Sequence, residues 1–189
     1  MRDLEIRGAG NLLGTKQSGH IAAVGFDLYC QLLRQSIDQL KGKQRQPRPD
    51  TSLKADFLVF SEARWDPAEE GAKLPAFLPK DYAPHGELRV GAYRRLAALQ
   101  TQKELRQLEK NWRDRFGRPP LPVRTLLLTV RLRLVASHKL VQSIEIKKGR
   151  LILHRNGAPL LPADGKYPRL KSQKPLAQLE ETLKHLENL

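Results

Sequence analysis

Residues 101–138 read TQKELRQLEKNWRDRFGRPPLPVRTLLLTVRLRLVASH, and this stretch decides the fold because it predicts two consecutive helices. Thr101 and Glu104 have the spacing of a capping box, in which two side chains satisfy backbone N–H groups of the first helical turn. Apolar residues then recur on one stripe, and Gly117 suits the end of this helix. The prolines that follow force a turn and begin a helix over residues 122–138.

Weaker patterns surround these two helices. Helical spacing of apolar residues predicts further helices over residues 87–99 and 175–186. Residues 53–60 predict a strand, and the proline- and glycine-rich residues 61–86 predict an irregular connection. Residues 141–146 and 150–154 predict a hairpin, with a second turn at Asn156-Gly157. The predicted fold class is therefore α+β: a small mixed α/β domain with several helices and a short antiparallel sheet.

The N-terminal part has a different character. Closely spaced glycines in residues 1–24 predict a shaped loop with tight turns, and residues 26–41 predict an amphipathic helix. The basic, proline-containing residues 43–50 predict a linker. We therefore divide the chain into an N-terminal loop and helix (1–46), a linker (47–52) and a C-terminal domain (53–189).

Composition limits the classes of function. Apolar residues make up 40% of the 189 residues, which is enough for a core. The net charge of +14, from 34 Lys and Arg against 20 Asp and Glu, favours an anionic partner, either nucleic acid or an acidic protein face. No apolar run is long enough to span a bilayer and no signal peptide is visible, so the expected location is cytoplasmic without membrane contact.

Catalysis by this chain alone is not expected. The glycines near Gly10 and Gly14 have neither the spacing of a phosphate loop nor that of a dinucleotide fingerprint. The five histidines are scattered, without acidic or cysteine companions at metal-ligand spacing. The single cysteine, Cys30, lies in the predicted N-terminal helix, where a small packing residue is the more frequent role.

Three segments at the start of the chain carry a resemblance to a known family. MRDLEIRGAGNLLG (residues 1–14), QSGH (17–20) and VGFDLY (24–29) resemble the TRG motif shared by RecG helicases and transcription-repair coupling factors. LPKDY (78–82) and RDRFG (113–117) resemble the C-terminal domain of the coupling factors, to which RecG is not similar. The likeness covers most of residues 1–140.

The resemblance implies a role in force transmission for the N-terminal part. Arg7 and Gln17 match the polar positions of a relay that couples ATP hydrolysis to movement on double-stranded DNA. The loop backbone at Gly8, Gly10, Gly14 and Gly19 would pass close to that DNA. ATP and Mg²⁺ would bind to motor lobes that this chain does not contain, so no cofactor is expected here. The chain is accordingly expected to be a truncated product or a piece of a longer protein.

For the C-terminal domain, the resemblance implies regulation. In the family this domain docks on the domain that recruits UvrA and restrains the enzyme until RNA polymerase is engaged. RNA polymerase and UvrA would thus be partners through the parent protein. Five helix-face arginines are candidates for the contact: Arg94, Arg95, Arg106, Arg113 and Arg124. Two alternatives remain open, a stand-alone basic nucleic-acid-binding protein and a module for protein–protein interaction only.

Overall fold

A computed structural model describes residues 51–69, 71–162 and 165–189 of the chain. The predicted glycine-rich loop with Arg7 and Gln17, and the predicted helix over residues 26–41, lie outside these ranges. In the described part the elements are β1 (Ser52–Ala55), β2 (Leu58–Val59), β3 (Leu74–Pro75), α1 (Gly86–Ala98), α2 (Gln102–Phe116), α3 (Leu121–His138), β4 (Ser143–Lys147), β5 (Arg150–Arg155), β6 (Ala158–Pro159) and α4 (Pro175–Glu187).

Helix α2 begins and ends as its sequence predicts. The Glu104 backbone N–H donates to Thr101 Oγ1 at 3.2 Å, and the Thr101 N–H donates to the Glu104 carboxylate at 3.0 Å. Both halves of the capping box are therefore present. At the other end Gly117 has a φ of +80°, which favours glycine, and its N–H donates to the Arg113 carbonyl.

Helix α3 is the centre of the fold because its side chains are apolar nearly all round. One side packs with α1, α2 and the segment before α1, in a cluster that includes Leu96, Trp112 and Leu126. Its other side contributes Leu132 to a second cluster, formed with the sheet and α4. Two cores thus share one helix.

The larger sheet is mixed and has the strand order β1-β4-β5-β6. β4 and β5 form the predicted hairpin and are antiparallel, as are β5 and β6. β1 is parallel to β4, which differs from the expected antiparallel sheet, because β1 lies 91 residues upstream of its partners and is not joined to β4 by a turn. The α+β fold class is confirmed.

The single strand predicted over residues 53–60 is wrong, since the structure divides it into β1 and β2. A turn at Asp56 and Phe57 separates them, and the Phe57 side chain is buried in the second core. The Phe57 carbonyl accepts from the Leu74 N–H at 2.7 Å, so β2 pairs with β3 in a separate two-stranded sheet. β3 lies in the region predicted to be irregular.

The two predicted turns of the hairpin region are confirmed. Lys148 and Gly149 have φ values of +50° and +71° between β4 and β5, and Asn156 and Gly157 have +53° and +77° between β5 and β6. Two successive left-handed residues are typical of tight type I′ hairpins. The register between the strands is thereby fixed, and every second residue of β4 and β5 faces the second core.

The chain enters this fold at a tightly held residue. Thr51 is 1% exposed; its hydroxyl donates to the Val141 carbonyl at 2.6 Å. Its own carbonyl accepts from Nε of Arg133, a buried arginine of α3, at 3.0 Å. Ser52, predicted to belong to the linker, already pairs with Ser143. Within the described ranges no helix has the length and apolar character needed to cross a bilayer.

Candidate interaction surface on helices α2 and α3

One side of α2 carries a stripe of exposed cations. Lys103, Arg106, Lys110 and Arg113 follow one another at steps of three, four and three residues, which places them on one side of the helix. Leu105, Leu108 and Trp112 of the same helix are buried and face the first core. The amphipathic division of α2 thus directs the cations away from the core.

Glu109 shows which other residues face this stripe. It lies half-buried at the border between the stripe and the core, and its burial raises the pKa of its carboxyl above the ordinary value. The charges of Arg131, Arg113 and Arg106 oppose that rise in pKa, in decreasing order. Arg131 belongs to α3, so charges on two helices act on the Glu109 carboxyl. We refer to Arg106, Arg113 and Arg131 as the arginine cluster.

The third helix of this region, α4, also reaches Arg131. Nη2 of Arg131 lies 3.7 Å from Oε1 of Glu187, and both side chains are 44% exposed. An ion pair with that exposure contributes about 0–1 kcal/mol, because solvent screens it. Such a pair orients the Arg131 guanidinium and leaves donors for another partner, since an arginine carries five N–H donors.

The structure brings together some of the predicted arginines. Arg106 and Arg113 belong to the cluster, and the exposed Arg124 lies seven residues before Arg131, on the same face of α3. Arg94 is half-buried and Arg95 exposed on α1, and neither is among the charges that act on Glu109.

Two arginines of α3 were not identified from the sequence. The heptad spacing between Arg124 and Arg131 was a usable signal for Arg131, because residues seven apart share a helix face. No comparable signal was present for Arg133, whose partner Thr51 is 82 residues away along the chain. Arg133 supports the fold and is no part of the exposed surface.

The chemistry of this surface is that of recognition. Exposed guanidinium groups form paired hydrogen bonds with carboxylates or phosphates, and they remain charged at any physiological pH. In the described part of the chain, no group of three or more His, Cys, Asp or Glu side chains is arranged to hold a metal ion. The arrangement is therefore suited to binding an anionic face.

Comparison with known proteins gives this surface a family context. A family model described as the TRCF domain matches residues 72–163, which include α1, α2, α3 and the β4–β5 hairpin. The arginine cluster therefore lies wholly inside the matched region.

Curated relatives extend the similarity to the N-terminal part. The transcription-repair-coupling factor of Mycobacterium tuberculosis is 35% identical over 184 residues, covering 96% of this chain and 14% of the relative. That of Escherichia coli is 36% identical over 143 residues, covering 76% and 11%. That of Bacillus subtilis is 35% identical over 148 residues, covering 78% and 11%. The chain thus spans a small part of these relatives' length.

A solved structure agrees with the fold. The crystal structure of the C-terminal domain of a transcription-repair coupling factor superimposes with a TM-score of 0.51 at 15% identity. The match covers 74% of this chain and 95% of that one. At this level of identity the likeness concerns the fold alone.

Proposed function

Because this chain belongs to the family of transcription-repair-coupling factors, we propose that it is the C-terminal part of an ATP-dependent DNA translocase of nucleotide excision repair. The sequence similarity over 96% of the chain supports the proposal. ATP and Mg²⁺ bind, in this proposal, to motor lobes elsewhere in the parent protein. The chain itself regulates the motor and transmits its movement, and does not hydrolyse ATP.

The regulatory role is assigned to the described domain. The single observation that carries it is the arginine cluster, in which three exposed arginines of α2 and α3 all act electrostatically on Glu109. In this proposal the cluster docks on an acidic face of the parent's UvrA-recruiting domain and so restrains UvrA recruitment. Release follows when RNA polymerase engages the parent protein.

Binding between the purified chain and the UvrA-recruiting domain of a relative tests the docking. Replacing Arg106, Arg113 and Arg131 together by Gln should weaken binding about 3- to 150-fold, since each exposed pair contributes about 0.2–1 kcal/mol. The matched control replaces Lys147, Arg150 and Arg169 by Gln, which removes the same charge from the sheet and should leave this affinity unchanged. Equal losses from both triple variants would contradict docking through the cluster.

The transmission role is assigned to residues 1–46, with Arg7 and Gln17 as the relay and Gly8, Gly10, Gly14 and Gly19 next to DNA. The resemblance to the TRG motif supports this assignment. In a fusion of the chain to the motor lobes of a relative, Arg7→Ala or Gln17→Ala should slow translocation while ATP binding is retained. Unimpaired translocation by both variants would remove the relay from the proposal.

A further inference from the structure

Three cationic side chains form a row across the tip of the β4–β5 hairpin. Lys147 and Arg150 are Cα partners in the antiparallel pair, and Arg150 is bridged in turn to Arg169. Directly opposed residues have Cβ atoms about 4.5–5.5 Å apart, and like charges in that position destabilise a sheet. All three side chains are exposed.

Two further exposed cations follow the row along the chain, and the backbone N–H group of each donates to a carboxylate. Lys148 at the apex of the turn and Lys171 beyond Arg169 are both exposed. Asp56 accepts from the Lys148 N–H at 3.1 Å, and Glu181 accepts from the Lys171 N–H at 2.7 Å. These acids position the two backbone segments that carry the row. We refer to Lys147, Lys148, Arg150, Arg169 and Lys171 as the hairpin surface.

The side of the sheet to which the row belongs faces away from the core. Ile144 and Ile146 of β4 and Leu151 and Leu153 of β5 are buried in the second core. Alternation along the strands therefore places Lys147 and Arg150 on the solvent side, with Lys54 and Glu145 in the next row. Glu145 faces Lys54 across the sheet, and Asp56, whose N–H donates to the Ile146 carbonyl, lies at the Lys147 end of the row.

We propose that the hairpin surface binds the phosphate backbone of double-stranded DNA. A duplex carries one negative charge per about 1.7 Å of its length, so it offers counter-charges to Arg150 and Arg169, which oppose each other directly, and to the lysines beside them. The apex of the hairpin supports the same inference. Lys148 has a left-handed backbone conformation that Asn or Gly usually adopts, so the lysine is not there to favour the turn. Lys is depleted and Arg enriched in protein interfaces, so a surface in which three of the five cations are lysines is the poorer match for a docking protein.

This surface is distinct from the arginine cluster, and it does not depend on the proposed docking to a protein domain. Contacts confined to phosphate carry no sequence information, so the predicted binding is non-specific. The hairpin surface would be a DNA-binding site of the C-terminal domain, separate from the DNA contact proposed for residues 1–46.

The test measures binding of the full chain to a 30-base-pair duplex as a function of salt. Each phosphate contact contributes about 0.9 to the slope of log K against log salt concentration. Replacing Lys147, Arg150 and Arg169 by Gln should reduce the magnitude of that slope by about 2.7 and weaken binding at least tenfold at about 0.1 M salt. Lys148→Asn, which suits the left-handed turn, should reduce the slope by about 0.9 without disturbing the hairpin.

The matched control is the variant with Gln at Arg106, Arg113 and Arg131, which has the same net charge as the triple hairpin variant. It should keep the salt slope of the unaltered chain. Equal reductions in the two triple variants would overturn the inference, because binding would then follow net charge alone. In that control variant, tighter binding to polyglutamate than to the duplex would also overturn the inference, in favour of an acidic protein partner.

Discussion

At the residue scale, Arg133 is the buried charged side chain whose loss should lower stability. It is buried, and its Nε donates to the carbonyl of Thr51, where the chain enters the fold. A hydrogen bond from a charged group contributes about 1.5–3 kcal/mol, and its loss leaves a buried acceptor unsatisfied. We expect Arg133→Met to lower the free energy of unfolding by about 2 kcal/mol in urea titrations.

The control for that prediction is Arg131→Met, two residues earlier on the same helix. Arg131 is 44% exposed, so its ion pair with Glu187 contributes about 1 kcal/mol at most. Similar losses of stability in the two variants would contradict the prediction that the buried hydrogen bond of Arg133 stabilises the fold.

Glu109 gives a residue-scale prediction about pH. Its burial raises the pKa of its carboxyl in the folded state. The unfolded chain therefore releases this proton first as the pH rises, and stability is lost between the ordinary pKa of a glutamate and the raised pKa of the folded state. Glu109→Gln removes that loss. The change that this substitution makes in the free energy of unfolding should therefore be more favourable at pH 7 than at pH 3.5.

Thermal unfolding of the Glu109→Gln variant at the two pH values checks this sign. Asp114→Asn serves as the comparison, because Asp114 is an exposed carboxylate of the same helix. If Glu109→Gln were least favourable at pH 7, the attraction of Arg131, Arg113 and Arg106 would outweigh the burial.

At the scale of elements, helix α2 depends on its first turn. Thr101 Oγ1 satisfies the Glu104 N–H, and Glu104 in turn accepts from the N–H groups of Gln100 and Thr101. Thr101→Ala should cost about 1 kcal/mol of stability, whereas Thr101→Asn should cost much less because Asn is a good N-cap. Since α2 carries the arginine cluster, fraying of this turn should also increase hydrogen exchange near Arg106. Equal stability of the Ala and Asn variants would show that the cap contributes little.

At the scale of the whole molecule, the sequence predicts the helices well and the pairing of distant strands poorly. The helices follow from local signals such as the capping box at Thr101 and the glycine at position 117, so their bounds agree with the structure to within a residue or two. Pairing between remote segments has no local signal, which is why the division into β1 and β2 and the parallel pairing of β1 with β4 were not predicted.

The same distinction holds for the two charged surfaces. Arg106 and Arg113 could be selected because they share one face of one helix. Joining them to Arg131 requires the packing of α2 on α3, and joining Lys147 and Arg150 to Arg169 requires a bridge to a segment beyond the hairpin. Sequence therefore identified Arg106 and Arg113 of the arginine cluster, whereas Arg131 and the hairpin surface became visible only in the folded structure.

The central claim, that the arginine cluster restrains UvrA recruitment, is tested most directly by measuring UvrA affinity. The protein for this measurement is a full-length coupling factor that carries this chain as its C-terminal part. Replacing Arg106, Arg113 and Arg131 by Gln should tighten UvrA binding by about 5- to 150-fold, the usual range of coupling between two sites. Unchanged UvrA affinity in that variant would contradict the account.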